Sequence, residues 1–269
     1  MSAVRVEAPD LLGFAKELIA EAGTFTQRHF RSPDLDVAFK GDGTPVTVAD
    51  QGAERLMRDA ITEAFPDDEI IGEEFGVSET PAHGGSGRQW VIDPIDGTKA
   101  FTAGVPLYSN LLAVIDDGVP VIGIINLPAV GEMLWATVGG GAFCNGERCH
   151  VSSKTTLEGS YLMASGVTGW ARDGLHRLRD HGVIVRTWGD AYGYSMVATG
   201  RAEAMVDPIV SLWDVAPIGV IISEAGGTFT DLSGVERIDG GNGLGTNGLV
   251  HDALLAELAA QRTPNPDMF

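Results

Sequence analysis

Apolar side chains recur at Leu11, Phe14, Ala15, Leu18, Ile19, Ala22 and Phe25, a spacing that gathers them on one stripe of a helix. Arg28, His29 and Arg31, followed by Pro33, mark its end. A second helix is predicted from Thr47, whose hydroxyl can cap it, to about Phe65, with Pro66 beyond. Leu56, Met57, Ala60, Ile61 and Ala64 form its buried face. From Glu69 the pattern shortens to apolar runs at Ile70-Ile71, Trp90 to Ile92, Leu111 to Ile115, Val119 to Leu127 and Met133 to Val138. Bounded by Gly, Pro and Asp, these read as strands of a mostly antiparallel sheet. Asn145-Gly146 carries the signature of a type I′ hairpin.

Beyond the hairpin, strands and helices alternate. Strands are expected near Leu162, Val183 to Thr187, Glu203 to Val206, Thr228 and Leu244; helices are expected at Ala171 to Asp180, Tyr192 to Thr199, Trp213 to Ala225 and His251 to Ala260. The chain thus divides into an N-terminal α+β half, residues 1–150, and a C-terminal layered α/β half, residues 151–269.

Composition narrows the classes. With 44% hydrophobic residues over 269 positions the chain can build a core. Its 37 acidic against 18 basic residues, net −19, exclude a generic nucleic-acid surface, which needs clustered Lys and Arg, and disfavour an anionic membrane. The start carries charges and a proline where a signal peptide would be apolar, and no run reaches membrane-spanning length, so a cytoplasmic protein is expected. Cys144 and Cys149 are too few for a disulfide framework and lack partners for zinc. The acidic excess itself reads either as solvated surface or as a cation site.

Position bears on that choice. In Trp90-Val-Ile-Asp-Pro-Ile-Asp-Gly-Thr-Lys99 an apolar strand ends in Asp93, which Pro94 holds extended, and Gly97 permits a sharp turn. Gly97-Thr98-Lys99 can then open a helix whose first amides bind an anion. Carboxylates beside an anion cradle repel that anion unless a cation lies between them, and oxygen ligands with phosphate suit magnesium. Ile70-Ile-Gly-Glu-Glu74 is a second strand ending in carboxylates, and Asp214 stands in the first turn of an apolar helix after Leu212-Trp213. Each alone is also an ordinary turn or cap.

Gly72-Glu73-Glu74, Asp93-Pro94-Ile95-Asp96-Gly97-Thr98 and Trp213-Asp214-Val215-Ala216, in that order, resemble the motifs of the inositol monophosphatase family of magnesium-dependent, lithium-sensitive phosphomonoesterases. The similarity runs from about Leu11 to about Ala260 and takes in Lys40, Thr47 to Asp50 and Glu224 to Gly227. It implies a five-layered α-β-α-β-α fold, a homodimer and two to three Mg2+ ions per site. It also implies that Glu73, Asp93 and the Ile95 carbonyl hold one metal, that Asp93, Asp96 and Asp214 hold a second, and that Glu73 supports a weaker third. Thr98 and Asp50 then orient and deprotonate the attacking water, and the Gly97 and Thr98 amides receive the phosphate. One departure is visible: the family usually has Asn where this chain has Ala100, which costs no ligand.

Asp207 matches the family position that touches the alcohol, typically Glu in inositol-specific members. Gly189-Asp190-Ala191-Tyr192 with Ser211 to Asp214 looks more like the histidinol-phosphate phosphatases. Two carboxylates near the leaving group suit a cationic amine better than a neutral polyol, although Asp190 also reads as a helix cap. The expected activity is hydrolysis of histidinol phosphate. Inositol 1-phosphate or other sugar and nucleotide phosphates are alternatives, as is a non-enzymatic metal-binding module.

Overall fold

The computed structural model describes residues 10–259 apart from 34, 42, 44, 79–84 and 167–173. The two amphipathic helices form where periodicity puts them. Helix α1 (Leu11–His29) buries Ala15, Leu18, Ile19 and Ala22, and α2 (Val48–Ala64) buries Ala53, Met57 and Ile61. Between them, β1 (Val37–Phe39) pairs with β2 (Pro45–Thr47), a hairpin too short for any periodic signal. A reciprocal cap starts α2: the Thr47 hydroxyl accepts from the Ala49 amide at 3.1 Å, and the Asp50 carboxylate accepts from the Thr47 amide at 2.8 Å.

The first sheet contains β3 (Glu69–Gly72), β4 (Gly76–Val77) and β5 (Arg88–Asp96), which the short helix α3 (Thr98–Thr102) follows. It continues with β6 (Ser109–Asp116), β7 (Val119–Leu127), β8 (Glu132–Thr137), β9 (Gly141–Cys144) and β10 (Glu147–Arg148), in the order β10-β9-β8-β7-β6-β5-β3-β4. Only β3 and β5 run parallel among these pairs. Asn145 and Gly146 both take positive φ, 50° and 90°, as the type I′ turn requires. Strand β5 continues past the expected end at Ile92 through both aspartates, because its pairing with β6 resumes after an irregularity between Asp93 and Asp96. Such a bulge re-aims side chains at a sheet rim.

The second sheet is built from β11 (Tyr161–Ala164), β12 (Ile184–Arg186), β13 (Ala204–Asp207), β14 (Thr228–Thr230) and β15 (Gly243–Thr246), ordered β12-β11-β13-β15-β14. Helices α4 (Gly174–Asp180), α5 (Asp190–Ala198), α6 (Leu212–Glu224) and α7 (His251–Ala259) interleave with it. The expected first residues of α4, Ala171 to Asp173, and Ala260 at the end of α7 lie outside the described residues.

Five layers result. Helices α1 and α2 cover one face of the first sheet, α5 and α6 fill the space between the sheets, and α4 and α7 cover the far face of the second. The central layer joins both sheets: Ile218, Ile221 and Ile222 of α6 share one core with Ile125 and Leu134 of the first sheet and Met205 and Phe229 of the second. Helix α6 lies so close to β7 that a methyl group at Gly123 would overlap the Pro217 backbone. At its end Glu224 accepts the Gly139 and Gly141 amides, each at 2.7 Å. No helix among the described residues is long and apolar enough to cross a membrane.

His251, at the start of α7, ties the second sheet to that helix. Its ring nitrogens lie 3.1 Å from the Thr230 hydroxyl and 3.0 Å from that of Thr246. Burial lowers its pKa below the ordinary 6.5, so the folded protein holds it neutral. Below pH 6.5 the unfolded chain takes up a proton that the fold resists. Stability from this group is therefore complete above 6.5 and is lost as pH falls toward the depressed folded value. A His251→Gln variant is expected to flatten the fall in melting temperature between pH 7 and 5; an unchanged slope would refute the assignment.

Candidate active site

Three elements bring the acidic residues together. Strand β5 supplies Asp93 and Asp96, and the N-terminus of α6 supplies Asp214; one carboxylate oxygen from each lies within 4.8 Å of the others. Asp93 is 1% exposed and Asp96 8%. Burial raises the pKa of both well above 3.8, and neighbouring carboxylates add to it: Glu73, Asp96 and Asp214 around Asp93, Asp190 and Asp214 around Asp96. Burial likewise pushes Asp214 up, with Glu73 and Asp190 contributing. Such crowding is unfavourable for like charges alone and fits a hard divalent cation, which takes carboxylate oxygens.

Each aspartate is held by its own donors. Asp96 Oδ2 accepts from the Ser109 hydroxyl and from the Ala191 amide, both at 2.7 Å. Asp93 Oδ1 accepts from the Ile95 amide at 3.0 Å. Asp214 Oδ2 accepts the Ser211 amide at 2.7 Å, and an oxygen of the same carboxylate lies in the cluster. The cap reading and the ligand reading of Asp214 are therefore compatible.

Glu73 sits outside the tight triad. Lys40 binds it at 2.8 Å and its neighbour Glu74 at 2.7 Å. Burial alone would lower the Lys40 pKa, but the two carboxylates outweigh it and raise the value. Burial pushes Glu74 up to about 7. Glu73 nonetheless remains close enough to Asp93 to raise its pKa.

Asp50 is fully buried, and its pKa is raised chiefly by that burial. Its Oδ2 serves the cap of α2, while Oδ1 lies 3.4 Å from the Thr98 hydroxyl, which also donates to the Ile95 carbonyl at 3.1 Å. Gly97, at φ 77°, makes the turn between β5 and α3. The expected helix there is only five residues long.

Asp190 opens α5 in the left-handed region, at φ 53°, and Gly189 rather than Asp190 is the cap residue. Its carboxylate packs against Gly97. Ser165 links the two acidic residues singled out for the alcohol side: its hydroxyl donates to Asp207 at 2.5 Å and accepts the Asp190 amide at 2.8 Å. Burial pushes Asp207 to about 7, with the Asp190 and Asp214 charges adding to the shift. Ser165 and Ser109 are not legible as site residues, since a serine just after or at the start of an apolar strand carries no spacing signal. The thiols of Cys144 and Cys149 are free and half-buried, and burial raises both pKa values, so neither is a ready nucleophile.

A histidinol-phosphatase from Mycobacterium tuberculosis is 42% identical over 260 residues, which span 93% of this chain and 98% of that protein. One from Chlorobaculum parvum is 44% identical over 244 residues, 88% of this chain and 91% of that protein. Among solved structures, a Thermotoga maritima IMPase superposes with a TM-score of 0.83 at 31% identity, covering 93% of this chain and 96% of that one. The model of the inositol monophosphatase family matches residues 8–264, and the chain belongs to that family.

Proposed function

We propose that the protein is a magnesium-dependent phosphomonoesterase that hydrolyses histidinol phosphate to histidinol, a step of histidine biosynthesis, by direct attack of water. The observation that carries the reading is the Asp93–Asp96–Asp214 cluster, with Thr98, just past β5, facing the Asp50 carboxylate of α2. Glu73, Asp93 and the Ile95 carbonyl would hold one Mg2+, Asp93, Asp96 and Asp214 a second, and Glu73 would support a third. When bound, the cations neutralise phosphoryl oxygens and acidify water. The Gly97 and Thr98 amides receive the phosphate. Thr98 accepts a hydrogen bond from the attacking water as its own proton, shared at rest with the Ile95 carbonyl, turns to Asp50 Oδ1, which burial makes a stronger base than an ordinary aspartate. No covalent enzyme nucleophile is needed.

The reading of the alcohol rests on Asp190 and Asp207, whose carboxylates suit a substrate ammonium and whose positions are linked through Ser165, bonded to the Asp207 carboxylate and the Asp190 backbone amide. The names of the Mycobacterium and Chlorobaculum relatives support the same substrate. A neutral polyol phosphate is the second reading, favoured by the likeness to the Thermotoga structure. A cytoplasmic homodimer completes the proposal, on the family resemblance.

Phosphate release from histidinol phosphate, inositol 1-phosphate, fructose 1,6-bisphosphate and adenosine 3′,5′-bisphosphate, each with Mg2+ and with chelator, tests this. Highest kcat/KM on histidinol phosphate, only with metal, is expected. No release from any ester would sink the enzyme reading, and equal release from all would sink the substrate.

A further inference from the structure

Strand β3 stops at Gly72, paired in parallel with Ile92 of β5. Glu73 must stay level with Asp93 for the two carboxylates to meet, yet it lies one residue beyond the last strand hydrogen bonds. What continues the register is a side chain from α2. Glu54 is fully buried. Its Oε2 accepts the Glu74 amide at 2.7 Å, and its Oε1 accepts the Phe75 amide at 3.1 Å and Arg58 Nε at 2.8 Å. Arg58 in turn donates to the Gly76 carbonyl. The turn from residue 73 to 76 is thus gripped from inside by Glu54 and from outside by Lys40, which binds the Glu73 and Glu74 carboxylates.

The same contact explains a motif residue. A methyl group at Gly72 would overlap the Glu54 carboxylate. Glycine before the paired glutamates therefore leaves room for the group that holds them. Asp50 lies one helical turn before Glu54 on α2. One helix face thereby sets both the partner of Thr98 and the turn that carries Glu73.

We propose that Glu54 is a positioning residue: it fixes the Glu73 backbone so that the Glu73 carboxylate reaches the ion held by Asp93, and it ties that reach to the Asp50–Thr98 pair. This rests on reading Glu73 and Asp93 as metal ligands. Glutamine at 54 would keep the volume but turn an amide NH2 toward donors, since three N–H groups converge on two oxygens.

The test measures Mn2+ binding to the metal-free enzyme, by the loss of the free-ion paramagnetic resonance signal, in wild type, Asp93→Asn and Glu54→Gln. Amide hydrogen exchange at Glu74 and Phe75 is followed in parallel. Glu54→Gln is expected to weaken Mn2+ binding about 10–100-fold, the usual cost of removing a group that orients a ligand. It is also expected to speed exchange at Glu74 and Phe75 while α1 stays protected, and to lower kcat at saturating metal less than the affinity. Wild-type affinity, or unchanged exchange, in Glu54→Gln overturns the inference even though wild type binds and Asp93→Asn does not. A wild type that binds no Mn2+ overturns the metal reading, and the inference with it. Should Glu54→Gln not fold, Arg58→Met, which keeps the carboxylate but frees Gly76, decides: weaker Mn2+ binding supports the inference, and unchanged binding overturns it.

Discussion

Asp93→Asn is expected to lower kcat/KM for phosphate release by more than about 100-fold, because loss of a group that merely orients a metal ligand already costs about 10–100-fold. Asp93 would serve both principal ions, and asparagine has one oxygen and no charge to offer. The fold is expected to survive. In the metal-free protein Asp93 is buried among Glu73, Asp96 and Asp214, which together raise its pKa. A raised folded value means that stability is complete below the ordinary 3.8 and declines as pH rises through the folded value. Asparagine removes this decline, so in chelator at pH 7 the variant is expected to melt above wild type, by about 2–4 °C for each kcal/mol relieved. Adding Mg2+ is expected to raise the melting temperature of wild type alone. An active variant would show that Asp93 is not a metal ligand, and one that melts below metal-free wild type would show that the buried charges cost less than the Ile95 hydrogen bond contributes.

The second large effect concerns the alcohol. Asp190→Asn keeps the left-handed backbone, which asparagine tolerates, and keeps the Ser165 contact through the amide nitrogen. Only the charge is lost. Removing one member of a desolvated charge pair costs about 2–5 kcal/mol; the half-buried setting of Asp190 argues for the lower end, about 30- to 150-fold in kcat/KM. That loss is expected for histidinol phosphate and not for inositol 1-phosphate, which has no ammonium. An equal fall on both esters would mean that Asp190 shapes the site without reading the amine.

Much of this is legible in the sequence alone. The stripes of α1 and α2 are long enough for periodicity to identify them, and the Asn145-Gly146 turn carries its own backbone requirement. Of the candidate residues, Asp93, Asp96 and Asp214 do converge, and Thr98 does meet Asp50. Three kinds of feature were not legible. The β1–β2 hairpin is three residues a side, below the length at which alternation can be read. The extension of β5 through Asp93-Pro94 depends on pairing with β6, a long-range fact that overrides the local turn signal. Glu54 with Arg58 four residues on reads as an ordinary surface ion pair; the close approach of Gly72 and the Glu74 and Phe75 backbone is a long-range contact no local pattern shows.

The cluster also has an order in time. Asp96 and Asp214 stand about 120 residues apart, so at about 5–20 residues per second a ribosome needs roughly 6–24 s to deliver the second after the first. Throughout that interval β5 can pair with its neighbours while its aspartates lack their third member. An ion that needs all three aspartates would therefore bind only after α6 is made, as a late clasp between β5 and α6 in place of a seed for folding.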